Sequence, residues 1–269
     1  MSYSPSLVNK NAQVGHFDPQ AAVTQLFSDS DWMVKIGIGG IFNATSVILM
    51  LTSIYLLPLA VLLVALNTGY MLRVMRTVKG VPESTAGGDD SVSRTSALPG
   101  GGSLPAWSNW SDMFFGGLSW IAISLFFHIV ISGLFLVGLF GSSILSAAIA
   151  GTVSGAWASF IAAALLGAFF IVGQFLHMLV SLAMVNFALS ESEAAAFDLL
   201  AAFKAFTRNK GQITLAWLFT LGLSTLSIVL PMLTIVGSFL IPSCYFVAQI
   251  INSLVLANAF EAPTTTAEA

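Results

Sequence analysis

The sequence predicts an all-α integral membrane protein: about six transmembrane helices in three hairpins, each hairpin preceded by an amphipathic helix on the cytoplasmic surface. Three observations carry this. The first is composition, with 57% hydrophobic residues, only 8% charged residues and a mean hydropathy of +0.90. A soluble domain carries roughly 25% charged residues, so this chain lacks the polar surface to face water on all sides. The second is the spacing of charges. Uncharged runs of 37, 78 and 50 residues separate Lys35 from Arg73, Asp112 from Glu191 and Lys210 from Glu261. The third is that six spans place all nine Lys and Arg on one side, which the positive-inside rule makes cytoplasmic. An odd number of spans would split that set.

A span needs about 20 residues, so the first and third runs each hold one hairpin. The middle run holds two spans with residues to spare, either as a longer helix or as a short outer element near 140–153. The expected helices are 33–53, 55–77, 113–138, 156–188, 211–230 and 234–259, with uncharged outer turns near Pro58, Gly141 and Pro231. Lys35 and Arg73 are expected to snorkel at the ends of the first hairpin. Residues 1–31 are polar, with Asp18, Asp29 and Asp31 and no apolar core of a signal peptide, so the first span is expected to act as the insertion signal. The chain then divides into an N-terminal segment (1–31), a first hairpin (32–79) and a linker (80–104). A second hairpin with its interfacial segment (105–189), a third with its amphipathic helix (190–260) and a tail (261–269) follow. Fifteen of the 25 linker residues are Gly, Pro, Ser or Thr, a composition that cannot bury apolar surface.

Each hairpin has a candidate interfacial helix before it. Asp18-Pro19 is a cap followed by a first-turn proline, with Val23, Leu26 and Phe27 on one face. Trp107, Trp110 and Phe114 recur at helical spacing, and tryptophan favours the headgroup level. Ser190 and Glu193 have the spacing of a capping box. After them Leu199, Leu200, Phe203 and Phe206 share an arc opposite Lys204 and Arg208, with Phe197 off it. Asn67, Asn186 and Asn258 sit at comparable places near the ends of the second helices, so the three hairpins read as an internal repeat.

The stretch from Gly69 to Leu118 resembles an uncharacterised prokaryotic family of polytopic membrane proteins, domain of unknown function four-zero-one-three. The resemblance rests on Gly69-Tyr70 closing a hydrophobic helix, on Arg73 and Arg76, and on Leu104-Pro105, Trp107, Trp110, Asp112, Phe114 and Gly117-Leu118. The linker is longer than the family's, and Ser108-Asn109 stands where the family tends to be acidic. The resemblance implies a multi-span membrane protein of the prokaryotic inner membrane and supplies no catalytic residues.

Several features bear on function. Gly151, Gly155, Ser159, Ala163 and Gly167 recur at every fourth position, the small-residue spacing that lets another helix approach closely, whether from this chain or from another subunit. Gln174, His177 and Ser181 form a polar stripe, as do Gln249, Asn252 and Ser253, and interhelical hydrogen bonds account for such stripes. His128 and His177 lie at comparable depths. No cofactor is expected, the alternative being that these two imidazoles ligate a haem or a chlorophyll-type pigment. Cys244 is the only cysteine, so no intrachain disulfide forms.

No Asp or Glu lies inside an expected span, and Lys35, Arg73 and Arg76 fall only toward span ends, which removes the carboxylate relay of an ion-coupled transporter. No phosphate-binding loop, zinc-protease motif or nucleophile elbow is present, and the net charge of −3 argues against a nucleic-acid partner. The expected function is therefore a non-catalytic scaffold or accessory subunit that packs against other membrane-protein subunits in the lipid bilayer. The alternatives are a carrier or remodelling protein for lipid-like or apolar substrates, and a haem- or pigment-binding subunit.

Overall fold

The computed structural model describes residues 17–79, 104–150, 155–190, 192–234, 237 and 240–260. These residues contain helices and no strand. The elements are α1 (Pro19–Ser28), α2 (Trp32–Thr52), α3 (Leu57–Val78), α4 (Trp110–Ile149), α5 (Gly155–Ser190), α6 (Glu193–Phe197), α7 (Leu199–Arg208), α8 (Lys210–Met232) and α9 (Ile241–Ala259), with a 3-10 turn at Ile54–Leu56 before α3. Six helices are long and apolar enough to cross a membrane: α2, α3 with its 3-10 turn, α4, α5, α8 and α9. Spanning segments must satisfy their backbone polar groups internally, and continuous helix does so.

Local chemistry sets most of the boundaries. The Asp18 carboxylate caps α1 by accepting from the Ala21 N–H, with Pro19 in the first turn. Ser53 ends α2 in extended backbone, and its hydroxyl accepts from the Tyr55 N–H to start the turn into α3. Pro58 sits in the first turn of α3 and Pro242 in that of α9, where a missing N–H costs nothing.

Four expectations change. Gly141 is not a turn: α4 runs through it for 40 residues, because an uncharged apolar stretch has no reason to open its backbone in lipid. The turn near Pro231 forms, α8 ending at Met232, but α9 starts at Ile241 rather than 234. The six residues before Trp110 are not helical, so the second pair of spans is entered by an irregular strap, for reasons given below. The Ser190/Glu193 capping box does not form. Ser190 closes α5, while Asp198 caps α7 by accepting from Ala201 N–H. That second start leaves Phe197 on the separate helix α6, which explains its absence from the apolar arc of α7.

Neighbouring spans pack in pairs, α2 with α3, α4 with α5 and α8 with α9, and α3–α4, α2–α9 and α3–α9 contacts join the pairs. Glycines set the closest approaches. A methyl group at Gly69 would overlap the Met113 carbonyl, and one at Gly117 the Ala65 carbonyl. Gly39 and Gly40 receive Phe246 and Ser243 of α9 in the same way.

Burial is uneven along the helices. In α3 all residues from Ala65 to Met75 except Thr68 are buried, and in α9 most residues from Phe246 onward are buried. In α5 the buried residues gather between Met178 and Ala188, and in α4 mainly between Met113 and Phe127. These stretches share one end of the molecule, where the described Lys and Arg also lie, and we call it the basic end. Toward the other end the chain leaves apolar side chains uncovered, including Phe140 at 62%, Ile144 at 70% and Trp157 at 63% exposure.

Candidate functional site: a clamped strap and an adjoining cleft

Residues 104–109 cross the basic end as a strap whose carbonyls are taken up by side chains of α2 and α3. The Lys35 ammonium donates to the Leu104 carbonyl at 2.7 Å and the Tyr70 hydroxyl to that of Pro105 at 3.1 Å. Arg73 Nη1 donates to the carbonyls of Ala106 at 3.2 Å and Ser108 at 2.6 Å. With these acceptors satisfied from outside, the strap gains nothing from being helical. Of its own donors, Leu104 N–H goes to Asp29 Oδ2 at 2.7 Å and the Trp107 indole N–H to the Lys35 carbonyl at 3.2 Å, while Ser108 N–H turns back to the Ala106 carbonyl at 2.9 Å.

Trp107 turns into the protein and stacks on Tyr70, with ring centroids 4.2 Å apart and planes 9° from parallel, and it also contacts Phe42, Trp110 and Phe246. One aromatic cluster thus ties the strap to α2, α3 and α9. Residues that carried the family resemblance (Tyr70, Arg73, Pro105 and Trp107) belong to this one structure, and Gly69 and Gly117 make the α3–α4 approach beside it.

Asp29, at 3% exposure, anchors the strap. Its carboxylate accepts from Lys35 Nζ at 2.7 Å, from Leu104 N–H and from Asp31 N–H. Burial by itself would raise its pKa, but the Lys35 hydrogen bond and the two backbone N–H groups hold it below the ordinary aspartate range. The Lys35 ammonium is thus held between Asp29 and the strap. Sequence reasoning missed the pair; its only trace is an acid and a base six residues apart across the start of a span.

Beside the strap, between α3, α4, α5 and α6, lies a cleft of about 280 Å³. Arg73, Arg76, Asp112 and Glu193 bring charge to its wall, and Phe115 and Phe187 bring apolar surface. Arg76 is held in place by its Nε–H to the Ala188 carbonyl at 2.6 Å. Ser119 donates to Glu193 Oε1 at 2.9 Å, forming a waist. A second hollow of about 390 Å³ shares Ser119 and Glu193 and continues along Leu118, Ala122, Ile123 and Phe197.

The other candidate residues are placed as follows. His128 and His177 do meet, with ring centroids 5.8 Å apart and edge to face. His128 Nδ1 is engaged with the Ser124 carbonyl at 2.7 Å. On the outer side of the pair α4 and α5 are in contact at Ile131–Gly173 and closely packed at Gly138–Phe169. Of the small-residue ladder, Gly155, Ser159, Ala163 and Gly167 are all exposed. A methyl group at Gly155 or Gly167 would meet nothing within 4 Å. Gly151 lies outside the described residues, as does the linker up to residue 103. The ladder face is thus not the surface by which α5 meets α4.

Asn67 links three helices: its amide donates to Gly39 O and Asn43 Oδ1, and Asn43 donates to Pro242 O. Asn186 ties α5 to α6 through the Ala195 carbonyl. In the third pair the corresponding bond is made by Asn252 rather than Asn258, to Ser224 Oγ at 2.9 Å on α8. Among the described residues no group of three or more His, Cys, Asp or Glu is placed to hold a metal ion.

Residues 51–242 match the model of one family, described as Protein of unknown function (DUF4013). No curated protein and no solved structure matches the chain.

Proposed function

The chain belongs to the DUF4013 family, and from that premise we propose that it is a non-catalytic membrane scaffold or accessory subunit. In this reading a clamped base holds the α4–α5 pair as an arm for other membrane-protein subunits. The observation that carries it is the length of that arm combined with its bare surface. At about 1.5 Å per residue, the 40 residues of α4 and 36 of α5 extend about 60 and 54 Å. A bilayer core is about 30 Å thick, and helix tilts rarely exceed about 40°. Tilt of that size cannot hide 60 Å of helix that carries no charge beyond Asp112. The exposed Phe140, Ile144 and Trp157 therefore call for a protein neighbour, and the ladder from Gly155 to Gly167 offers the surface on which a helix packs closely.

The same reading places the protein in a prokaryotic inner membrane with both termini cytoplasmic, supported by the gathering of basic residues at one end. Purification from native membranes in mild detergent tests it. We expect the protein to travel with a second membrane polypeptide in fixed ratio. A bare monomer that binds only lipid would remove the support for this function.

A further inference from the structure

We propose that the cleft between α3, α4 and α6 is a binding site for a zwitterionic phospholipid whose headgroup joins a phosphate to a primary ammonium. Its wall carries two charges of each sign in about 280 Å³: Arg73 and Arg76 on α3, Asp112 on the first turn of α4 and Glu193 on α6. A purely anionic headgroup would meet the guanidinium groups but be repelled by the carboxylates. A headgroup with both charges matches both pairs, the phosphate on Arg76 and Arg73 and the ammonium on Asp112 and Glu193. Carboxylates favour an ammonium with N–H donors over a quaternary one, which is better held by aromatic faces.

Position and continuity identify the ligand as a lipid rather than a soluble molecule. Arg76 is in the last turn of α3 and Asp112 in the first turn of α4, the depth at which headgroups lie if these helices span the membrane. Past the Ser119–Glu193 waist the second hollow is walled by Leu118, Ala122, Ile123 and Phe197 and opens at the protein surface. An acyl chain leaving the charged cleft would lie along this wall. Arg73 and Arg76 are held by carbonyls of the strap and of α5, so the cleft is preorganised by the same clamp that builds the base.

The test uses the full-length protein in detergent, titrated with phosphatidylethanolamine, phosphatidylglycerol, phosphatidylcholine or soluble glycerophosphoethanolamine, and read by thermal shift and native mass spectrometry. Phosphatidylethanolamine should bind about tenfold more tightly than the other two lipids, the scale of one charge-assisted hydrogen bond. The double variant D112N/E193Q should erase that preference while retaining phosphatidylglycerol binding, and R76Q should weaken all three lipids. Ser119→Trp, which fills the waist without touching a charge, should block lipid binding and keeps the proposal testable if R76Q does not fold. Equal affinity for the three lipids, an unchanged preference in D112N/E193Q, or soluble glycerophosphoethanolamine binding as well as the lipid would overturn the proposal.

Discussion

The basic end and the opposite end of this molecule are built on different terms. At the basic end, Asp29, Lys35, Tyr70, Arg73 and Trp107 fix one strap through hydrogen bonds and ring stacking, and the buried stretches of α3, α4, α5 and α9 converge there. At the other end the helices carry uncharged side chains that the described residues do not cover. Lipid tails are as apolar as leucine, so apolar residues alone give no drive for helices to associate. Cohesion needs close backbone approach or polar bonds, and both are concentrated at the base. The comparison teaches that the base holds the fold together, whereas the outer part of the α4–α5 pair adds little to it.

That contrast can be broken at its strongest point first. Asp29→Ala removes the carboxylate that Lys35 and the Leu104 N–H share. Breaking one side of a buried ion pair costs about 3–5 kcal/mol, so a large fall in thermal stability in detergent is expected, and a near-normal transition would refute the clamp. Gly69→Val forces a side chain into the Met113 carbonyl of α4. It should cost about 3 kcal/mol or more, whereas Gly167→Val, on the open ladder, should leave the monomer's unfolding unchanged.

Acidity sharpens the same comparison. The pKa of Asp29 is lowered in the folded protein, so its contribution is complete above the ordinary aspartate range and is lost as pH falls through the lowered value. Unfolding followed by circular dichroism should show this loss in the natural protein and not in Asp29→Asn. Smaller effects belong to the polar bonds between spans. Asn67→Ala and Asn252→Ala should each cost about 0.6–2 kcal/mol, measured as separate shifts that add in the double variant if the two bonds are independent.

Much of this was legible in the sequence because charge-free length and helical capping are local properties. The six apolar helices, the Asp18 cap and the pairing of His128 with His177 follow from spacing alone. The strap was not legible, since Trp107, Trp110 and Phe114 have helical spacing. What keeps residues 104–109 out of helix is the supply of donors from Lys35, Tyr70 and Arg73, distant in the chain. Gly141 misled in the opposite direction, as a turn-forming residue that stays in helix. The cleft assembles Arg76, Asp112 and Glu193 from three elements, and only the resemblance had already placed two of them together.

The central claim is that the ladder face of α5 is covered by another subunit. Photo-crosslinking in native membranes from a probe at position 163, compared with one at the exposed Val47 of α2, tests it most directly. The account predicts a discrete protein adduct from 163 that is absent from 47. Lipid adducts alone at 163, or the same pattern at both positions, would contradict it.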